Sequence, residues 1–446
     1  MRHESQTVPA KGHISAARSR VAGGKRIPSW LLLAAVSCYV LCVSSRVIAA
    51  APQSPLVVTH GGTYRGSWAS EDADVPVVRV ETTEPVVFDR CTFIGRGNLI
   101  QSRVDHSDIT VRNCTGTGEN PNIAGRWAGR FLEDESFDRV RVEHCELDHT
   151  AGIYLRECLG KREGGMGGTI DIVANRAIDI DGRKSDGHGG YLDFNLRTNK
   201  RTNLTEAGFS EVQFVQFDGV HGVPRVEIAW NHVLNEPGRS RVEDNINLYN
   251  SSGTAASPIT IHDNCIRGAY NFDPSAQSKN DGIFSYDLSY SGGGIMLGDG
   301  AAKLVGDRPA YIEALDNVVI GTTNYGIAIA AGHDISFQRN VIVSAGLLPN
   351  GQPIAEQNVG AYIWNVYKPN RTIPSTFTAN GGRDNVIGWM KGDARNDSWT
   401  PDAAFWTGNT AIKGPITREA EDLAEGKWKA RAEQAGVHIG LEPAGH

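Results

Sequence analysis

Short runs of alternating apolar and polar residues recur along most of this 446-residue chain. Alternation with a period of two is typical of a strand that buries one face. The interval between runs is nearly constant, because 23 residues separate Cys91 from Cys114 and Asn317 from Asn340. Such a period predicts a solenoid of stacked coils. The clearest runs are VVFDRCTFIG (86–95), ITVRNCTGTG (109–118), VRVEHCELDH (140–149), IDIVANRAID (170–179), VEIAWNHVLN (226–235), ITIHDNCIRG (259–268), IEALDNVVIG (312–321) and ISFQRNVIVS (335–344).

Asparagine and cysteine mark the turn inside these runs. We expect the asparagines to hold the corner, because asparagine tolerates left-handed backbone angles and its amide can bond to its copy one coil away. Cysteines at the next position then stack as small apolar residues in the interior. The five cysteines after residue 50 are a poor disulfide framework, and none has a metal-type CxxC spacing. The asparagines are Asn113, Asn175, Asn231, Asn264, Asn317 and Asn340, and the stacked cysteines are Cys91, Cys114, Cys145 and Cys265.

A second family of strands follows each corner. Its members read AGIYLRE (151–157), DNINLYN (244–250), GGIMLGD (293–299), YGIAIAA (325–331) and GAYIWNV (360–366). Alternation places one pair of apolar side chains in each strand on the inward face. The polar residues between them then face outward. The predicted inward pairs are Ile153 with Leu155, Ile246 with Leu248, Ile295 with Leu297, Ile327 with Ile329, and Ala361 with Ile363.

Three short strands per coil, joined by Gly- and Asn-rich turns, resemble the right-handed parallel β-helix of pectate-lyase-like proteins. The resemblance covers about 80–415 and implies an all-β fold, with a β-helix domain over 51–414. Residues 415–446 have helical apolar spacing around Trp428, which predicts a C-terminal helix that caps the last coil. The resemblance also implies a secreted carbohydrate-active protein, although a fold alone does not determine chemistry.

The first fifty residues differ from the rest. A basic stretch precedes the apolar run WLLLAAVSCYVLCV (30–43), and small residues follow it, so 1–50 are predicted to be a signal peptide cleaved near Ala49 to Ala51. We expect a secreted or periplasmic protein with no membrane span after cleavage. The remaining chain has 37 basic and 50 acidic residues, a net charge near −13. That charge argues against nucleic acid as a partner.

One candidate site lies on the outward face of the second strand family, in VEDNINLYNSSGT (242–254). Outward residues of successive coils form a ladder with a spacing of about 4.8 Å. Glu243 and Asp299 are predicted catalytic carboxylates, whereas Asp244 is either catalytic or a turn cap. Alignment of the strands places Asn250 level with Asp299. Residues predicted to bind substrate on this face are Asn245, Asn247, Tyr249, Asn250 and Trp364.

A second candidate site is the loop GRKSDGHGGYLDFN (182–195). Lys184 and His188 are predicted catalytic residues there, with Arg183 and Asp186 as substrate contacts. The KS step faintly resembles the lysine-bearing segment of some β-helix uronate lyases, but the asparagine that those patterns carry further on is missing. A charged glycine-rich surface turn is an equally good interpretation of each residue alone. His221, in a Gly-flanked loop, is a further predicted substrate contact.

Aromatic residues and glycine-rich stretches complete the list of candidates. Aromatic side chains stack on the apolar faces of sugar rings, so Trp127, Tyr249, Tyr290, Trp364 and Tyr367 are candidate platforms, although each alone is more often packing. The stretch GGGIMLGDG (292–300) lies inside a coil and not between a strand and a long helix. It is therefore neither a dinucleotide nor a phosphate-binding loop.

Three functions fit a secreted β-helix. A polysaccharide lyase or epimerase would abstract the proton α to a uronate carboxyl group, with Lys184, His188, His221 or Tyr249 as the base. Arg183, Asn245, Asn247 and Asn250 would hold the carboxylate. An inverting glycoside hydrolase would use carboxylates such as Glu243 and Asp299. A non-catalytic glycan-binding protein would need shape and hydrogen bonds only.

A polysaccharide lyase is the preferred prediction, with a polysaccharide or oligosaccharide as the partner. No cofactor is required by the sequence, although carboxylates such as Glu243 and Asp299 could bind Ca²⁺ at low affinity. A monomer or a small homo-oligomer is expected.

Overall fold

The computed structural model describes residues 51–158, 168–192, 209–270, 292–300, 309–354, 357–366, 376–402 and 405–443. The predicted signal peptide, and the candidate platforms Tyr290 and Tyr367, lie outside these residues. No helix in the described ranges is long and apolar enough to cross a membrane.

The described chain winds through three long sheets, and each coil contributes one strand to each sheet. Sheet 1 consists of β1 (Leu56–Val58), β4 (Val78–Val80), β7 (Ile100–Ser102), β10 (Leu132–Glu135), β13 (Ile153–Arg156), β16 (Val215–Asp218), β19 (Asp244–Tyr249), β22 (Gly293–Asp299), β25 (Tyr325–Ile329), β28 (Val359–Ile363) and β32 (Ser398–Trp399).

The second and third sheets have the same order. Sheet 2 consists of β2 (Gly62–Tyr64), β5 (Val86–Asp89), β8 (Asp108–Arg112), β11 (Arg139–Glu143), β14 (Thr169–Val173), β17 (Arg225–Ala229), β20 (Ile259–His262), β23 (Ala310–Leu315), β26 (His333–Gln338), β29 (Gly381–Arg383) and β33 (Phe405–Thr407). Sheet 3 consists of β3 (Ser67–Ser70), β6 (Thr92–Gly95), β9 (Thr115–Gly118), β12 (Glu146–Asp148), β15 (Arg176–Ile178), β18 (His232–Leu234), β21 (Cys265–Ala269), β24 (Val318–Thr322), β27 (Val341–Ser344), β30 (Val386–Lys391) and β31 (Ala394–Arg395), and β34 (Thr410–Ala411) pairs with β30.

These sheets form a right-handed parallel β-helix, as predicted. Pairing between strands of successive coils is parallel, for example Val215 with Ile246 and Phe217 with Leu248. Right-handed crossover is the rule for such connections. The predicted inward pairs of sheet 1 are confirmed, because Ile153, Leu155, Ile246 and Leu248 are fully buried in the apolar core.

The corner between sheets 2 and 3 contains a column of buried amides, and it differs from the predicted column in two respects: the left-handed backbone angles lie outside it, and cysteines stand in the column itself. The predicted members Asn113 and Cys265 are not part of it, because Asn113 precedes Cys114 with φ 54° and Cys265 follows Asn264 and packs toward the C-terminal helix. The side chain of each asparagine donates to the next coil: Asn231 Nδ2 lies 2.9 Å from Asn264 Oδ1, and Asn264 Nδ2 lies 2.9 Å from Asn317 Oδ1. Left-handed angles belong to the preceding residue, such as Asp263 with φ 55°. The column thus begins with the buried cysteines Cys91, Cys114 and Cys145 and continues as Asn175, Asn231, Asn264, Asn317, Asn340 and Asn385.

The predicted C-terminal helix is present as α1 (Arg418–Gln434), but the prediction that it caps the last coil is wrong. The helix packs on the side of the stack, against β24 and β27 of sheet 3. Trp428 Nε1 donates to the carbonyl of Asp263 at 2.6 Å, and Glu421 accepts from the backbone N–H of Ala345 at 2.6 Å. The apolar stripe around Trp428 is therefore buried along several coils, on a sheet other than sheet 1.

Candidate functional site

The outward face of sheet 1 carries a continuous ladder of polar and aromatic side chains. Its central column runs through Glu133, Tyr154, Gln216, Asn247 and Met296 in strict register. The next outward column brings Arg156, Asp218, Tyr249 and Asp299 together. The predicted match of Asp299 with Asn250 is wrong by one position, because a bulge shifts the register between β19 and β22.

One amide group joins two carboxyl groups at the middle of this ladder. Asn247 Nδ2 donates to Asp244 Oδ2 at 2.9 Å and to Asp299 Oδ2 at 3.1 Å. The two oxygens therefore lie within about 6 Å of each other, since both are hydrogen bonded to the same nitrogen. Asp299 also accepts the backbone N–H of Gly300 at 2.7 Å.

A glycine allows Asp244 to contact a residue two coils away. Asp244 pairs with Gly293 in the intervening strand β22, and the hydroxyl of Tyr325 in β25 donates to Asp244 Oδ1. A Cβ atom at Gly293 would lie 2.2 Å from Asp244 Oδ1 and 2.4 Å from Tyr325 Cζ. Only a residue without a side chain fits at this position. Gly293 thus makes the Asp244–Tyr325 contact possible.

Glu243 adds a second acid next to Asp244. Its Oε2 accepts from Gln213 Nε2 at 2.7 Å. Burial, followed by the charges of Asp244, Glu211 and Asp299, raises the pKa of Glu243 well above its usual value. Glu243 is therefore protonated at pH values where an exposed glutamate is charged.

Asp244 has a raised pKa for the same main reason. Burial raises the pKa of Asp244 to about 7, although the hydrogen bonds from Tyr325 and Asn247 oppose the shift. Asp299 contributes repulsion in the same direction. Burial also raises the pKa of Tyr325 well above its usual value, and Asp244 adds to that shift. Tyr325 is consequently a hydrogen-bond donor and not a base.

Two buried amide oxygens at the cluster have no hydrogen-bond partner within the described residues. They are Asn247 Oδ1 and Gln213 Oε1, and both side chains are 3% exposed. Each amide uses its nitrogen on a carboxyl group and leaves its oxygen unpaired. A buried unpaired acceptor is costly, so such atoms indicate a missing donor.

A cavity of about 370 Å³ lies on the side of the earlier coils, and its lining includes Glu211, whose charge acts on Glu243 and Asp244. Trp127, Arg130 and Glu133 also line it. The guanidinium of Arg130 lies 5.3 Å from the ring centroid of Tyr154 and donates to the carbonyl of Ala151 at 2.5 Å. Burial lowers the pKa of Arg130 to about 10, while Glu133, Tyr154 and Glu243 oppose the shift. Arg130 is thus a positive charge within electrostatic reach of Glu133 and Glu243.

The residues predicted to face outward from sheet 1 divide into two groups. Glu243, Asp244, Asn247 and Asp299 come together as described, and Tyr249 lies beside Asp299. Asn245 does not belong to this site, because it is fully buried and its amide donates to the carbonyls of Gly268 and Gly293 at 3.2 and 3.1 Å. Its predicted outward orientation is wrong, since it links the chain at the corner between sheets 3 and 1.

Tyr249, Asn250, His221 and Trp364 lie toward the other end of the sheet 1 strands. Burial raises the pKa of Tyr249, and the charges of Asp299 and Asp218 raise it further. Asn250 is buried in the turn after β19, with φ 47°. His221 Nδ1 lies 3.1 Å from Ser252 Oγ, in the turn after β16. Trp364 packs on Trp399 with a centroid distance of 4.8 Å, in the last coils.

The loop site is not assembled as predicted. Arg183 forms an ion pair with Asp181 at 2.8 Å and also donates to backbone carbonyls, so its guanidinium holds the loop together. Asp186 caps the loop by accepting the N–H groups of His188 and Gly190 at 2.7 and 3.0 Å. These N–H donors lower the pKa of Asp186. Both residues therefore have structural contacts, and the side chain of His188 is exposed.

Lys184 is the loop residue that approaches the cavity described above, which we call the groove. Its side chain is buried, and Nζ lies 5.9 Å from the ring centroid of Trp127, which lines that cavity. The loop is thus in contact with the edge of the groove at Trp127. Catalytic roles for Lys184 and His188 stay predictions.

Calcium also stays a prediction. Across the described ranges, no group of three or more His, Cys, Asp or Glu side chains is arranged to hold a metal ion. Sequence reasoning missed Gln213, Gly293, Tyr325 and Arg130. The available signal was GGGIMLGDG, where three successive glycines precede the inward Ile295 and indicate a close approach of other groups.

Comparison with known proteins gives no family for this chain. No family model matches, and no curated protein matches. Solved structures that align with it include a periplasmic alginate epimerase at 12% identity, a TM-score of 0.31, and 81% of this chain against 86% of that one. A mannuronic acid specific polysaccharide family 6 lyase from human gut microbiota aligns at 11% identity, a TM-score of 0.31, and 87% against 91%.

A third solved structure is tailspike protein 3 of bacteriophage CBA120, at 9% identity, a TM-score of 0.25, and 82% of this chain against 54% of that one. Likenesses this weak carry no argument about chemistry.

Proposed function

We propose that this protein is a carbohydrate-active enzyme whose acid–base chemistry is carried by Glu243, Asp244 and Asp299 on the outward face of sheet 1. The observation behind the proposal is the raised pKa of Glu243 and Asp244 beside the amide-bridged carboxyl group of Asp299. Acidic groups with separated protonation states are what general acid–base catalysis requires near neutral pH.

The shape of sheet 1 favours a long carbohydrate chain as the substrate. Coils repeat about every 4.8 Å, so the ladder offers similar polar contacts at regular steps. Exposed aromatic rings flank the acids on both sides, with Trp127 at the cavity and Trp399 in the last coil, 40% and 44% exposed. Such rings stack on sugar faces. An extended polysaccharide along the sheet would contact both rings.

Hydrolysis of a glycosidic bond is the reaction that this geometry supports best. Protonated Glu243 would donate its proton to the leaving glycosidic oxygen as the bond to the anomeric carbon breaks. Asp299, held by Asn247 and Gly300, would accept a proton from the attacking water. Asp244 would hold Asn247, and through it Asp299, in position.

β-Elimination at a uronate, the reaction preferred from the sequence, is a second candidate. Arg130 favours it, because a guanidinium within electrostatic reach of Glu243 could neutralise a sugar carboxylate. Lys184, at the edge of the groove, would be the candidate base. Three acids at the centre oppose this reaction, since they repel an anionic sugar.

Product analysis tests the proposal. The protein from residue 51 onward, without the predicted signal peptide, would be incubated with a panel of neutral, acidic and basic polysaccharides. A hydrolase gives new reducing ends without near-ultraviolet absorbance, and a lyase gives unsaturated ends that absorb. Glu243→Gln should abolish turnover, whereas Glu313→Gln, on sheet 2, should not. Absence of products across the panel would contradict the enzyme proposal. Secretion and a monomeric or small oligomeric state stay predictions.

A further inference from the structure

We infer that the groove is a subsite for an uncharged sugar unit of the substrate chain, which stacks on Trp127 and is hydrogen bonded by the ion pair of Arg103 and Glu133. This inference rests on the proposed function, because it names the kind of sugar that the same face of sheet 1 binds. Three features of the described residues carry it: the exposed ring, the balance of paired charges, and the position of the groove in line with the acids.

The first feature is an exposed aromatic ring on a concave surface. Trp127 lines the groove and is 40% exposed, whereas tryptophan is on average a highly buried residue. The lining also includes Gly97 and Gly129, and a Cβ at Gly129 would lie 1.9 Å from the carbonyl carbon of Gly97. Two coils therefore meet there backbone to backbone. The volume of about 370 Å³ falls in the range of small-molecule sites, and an indole ring stacks on the apolar face of a sugar.

The second feature is a balance of charges around the groove. Arg103 Nη2 lies 3.3 Å from Glu133 Oε1, and Arg126 forms an ion pair with Asp74. A charged sugar of either sign would be repelled by one member of each pair. A sugar hydroxyl both donates and accepts, and a guanidinium with five N–H groups and a carboxylate with four lone-pair sites offer more than one ion pair uses. The charged residues of the lining are Arg103, Arg126, Arg130, Asp74, Glu133 and Glu211.

The polar side of the groove is held in place by its own contacts. Asn98 donates to Glu133 Oε2, and Asn98 Oδ1 accepts the backbone N–H of Arg130 at 2.8 Å. Glu133 is thereby fixed between Asn98 and Arg103, and its side chain is 15% exposed. A carboxylate that is fixed before the ligand arrives loses little conformational entropy on binding, which favours recognition of a defined hydroxyl arrangement.

The third feature is that the groove lies in line with the acids. Glu133 and Asn247 belong to one outward column of sheet 1, with two strands between them. Three coil steps therefore separate Glu133 from Asn247, or about 14 Å. Toward the earlier coils, a second hollow shares Gln101 and Arg103 with the groove. An extended chain that reaches the acids can thus pass through the groove, and a long oligomer should bind more tightly than a dimer.

Calorimetric titration with matched hexamers tests the inference. The protein of the product analysis carries Glu243→Gln, so that no probe is cleaved during the titration. The neutral probes are hexamers of β-1,4-linked glucose, β-1,4-linked mannose and α-1,4-linked glucose. The charged probes are hexamers of β-1,4-linked glucuronate and β-1,4-linked glucosamine, which share the backbone of the first. We expect a neutral hexamer to bind at least about tenfold more tightly than either charged hexamer and than its own dimer.

Two changes in the groove test its role in recognition. Trp127→Ala should weaken binding of the neutral hexamer at least about fivefold, and Trp127→Phe should keep most of the affinity, because a phenyl ring also stacks. Ile123→Ala is the matched control, since Ile123 is an exposed apolar residue of the same loop outside the lining of the groove. Glu133→Gln leaves the basic residues of the lining in excess, so it should shift the preference toward the glucuronate hexamer, whereas Glu313→Gln, on sheet 2, should not.

The outcomes separate this inference from the proposed function. A charged hexamer that binds as tightly as the neutral ones, or no binding of any neutral hexamer, overturns the inference. Equal losses of affinity in Trp127→Ala and Ile123→Ala overturn it as well. The expected binding pattern in a protein whose parent cleaves nothing supports the inference and contradicts the enzyme proposal. Cleavage of a glycan whose affinity is the same in Trp127→Ala overturns the inference and supports the enzyme proposal. Thermal melts of each variant exclude misfolding as the cause.

Discussion

Two buried polar columns of this solenoid make opposite use of amide groups. At the corner between sheets 2 and 3, Asn264 donates to Asn317 at 2.9 Å and to the carbonyl of Ile228 at 2.8 Å, and its oxygen accepts from Asn231. On sheet 1, Asn247 donates to two acids and its oxygen lacks a partner within the described residues. The first column is satisfied and stabilises the fold, whereas the second leaves one buried acceptor of Asn247 open beside the acids.

The largest expected effect is on turnover. Glu243→Gln keeps the shape of the side chain and its contact with Gln213, but it removes the transferable proton. We expect kcat to fall about 10²- to 10⁴-fold, the usual contribution of a general acid. The free energy of unfolding at pH 8 should not decrease, because a buried acid is replaced by a neutral amide. The measurement is kcat on the substrate that the panel identifies, with Glu313→Gln as the control variant. Full turnover of Glu243→Gln would refute its assignment as the general acid.

The next effect is on stability, in the other column. Asn264→Ala removes the acceptor of Asn231 and the donor to Asn317, which leaves buried polar groups unpaired. We expect a loss of about 2–4 kcal/mol in the free energy of unfolding, by the usual cost of such groups. Urea titration would measure it. Turnover of the protein that remains folded should be unchanged, and a stability equal to that of the parent would contradict the role of the column.

The third effect concerns Gly293, the glycine that lies between Asp244 and Tyr325. Gly293→Ala places a Cβ between Asp244 and Tyr325, so their hydrogen bond should break. We expect turnover to fall by at least about tenfold and the pH profile of kcat to move, since an acid would lose its donor. Gly426→Ala is the matched control, because nothing lies within 4 Å of a Cβ built at this helical glycine. An unchanged pH profile for Gly293→Ala would contradict the link between Tyr325 and the acids.

The last effect concerns the dependence of stability on pH. The pKa of Asp244 is about 7 in the folded protein and 3.8 as its ordinary value, so the folded state binds the proton more tightly. This contribution to stability is complete below pH 4 and is lost as pH rises to about 7, with a slope of at most about 1.4 kcal/mol per pH unit. Asp244→Asn should flatten that dependence in urea titrations at pH 5 and pH 8. A steeper slope in the variant would be inconsistent with the raised pKa.

The sequence predicted the coils well because the pattern of Ile246 and Leu248 repeats in every second-family strand, and repetition identifies a solenoid without any long-range information. Residue type and strand parity suggested Glu243 and Asp299 as site residues, and their catalytic roles stay predictions. Tyr325 and Gly293 were not predicted as site residues, because their contact with Asp244 joins three coils and depends on the absence of a side chain. Asn245 was placed outward, since parity alone does not reveal that a strand begins at a corner. The contacts of Arg183 and Asp186 within their own loop were not predicted, because residue type alone does not distinguish a loop contact from a substrate contact, and their substrate roles stay predictions.

The position of α1 has a consequence for how the stack comes apart. In a solenoid each coil touches only its two neighbours, so unfolding can start at an end and travel one coil at a time. α1 binds His232, Asp263, Asp316 and Ala345, which belong to four successive coils. It holds these four coils together, so fraying from the C-terminal end cannot pass β27 without detaching the helix. A chain cut before residue 415 should therefore unfold in a broader and less cooperative transition.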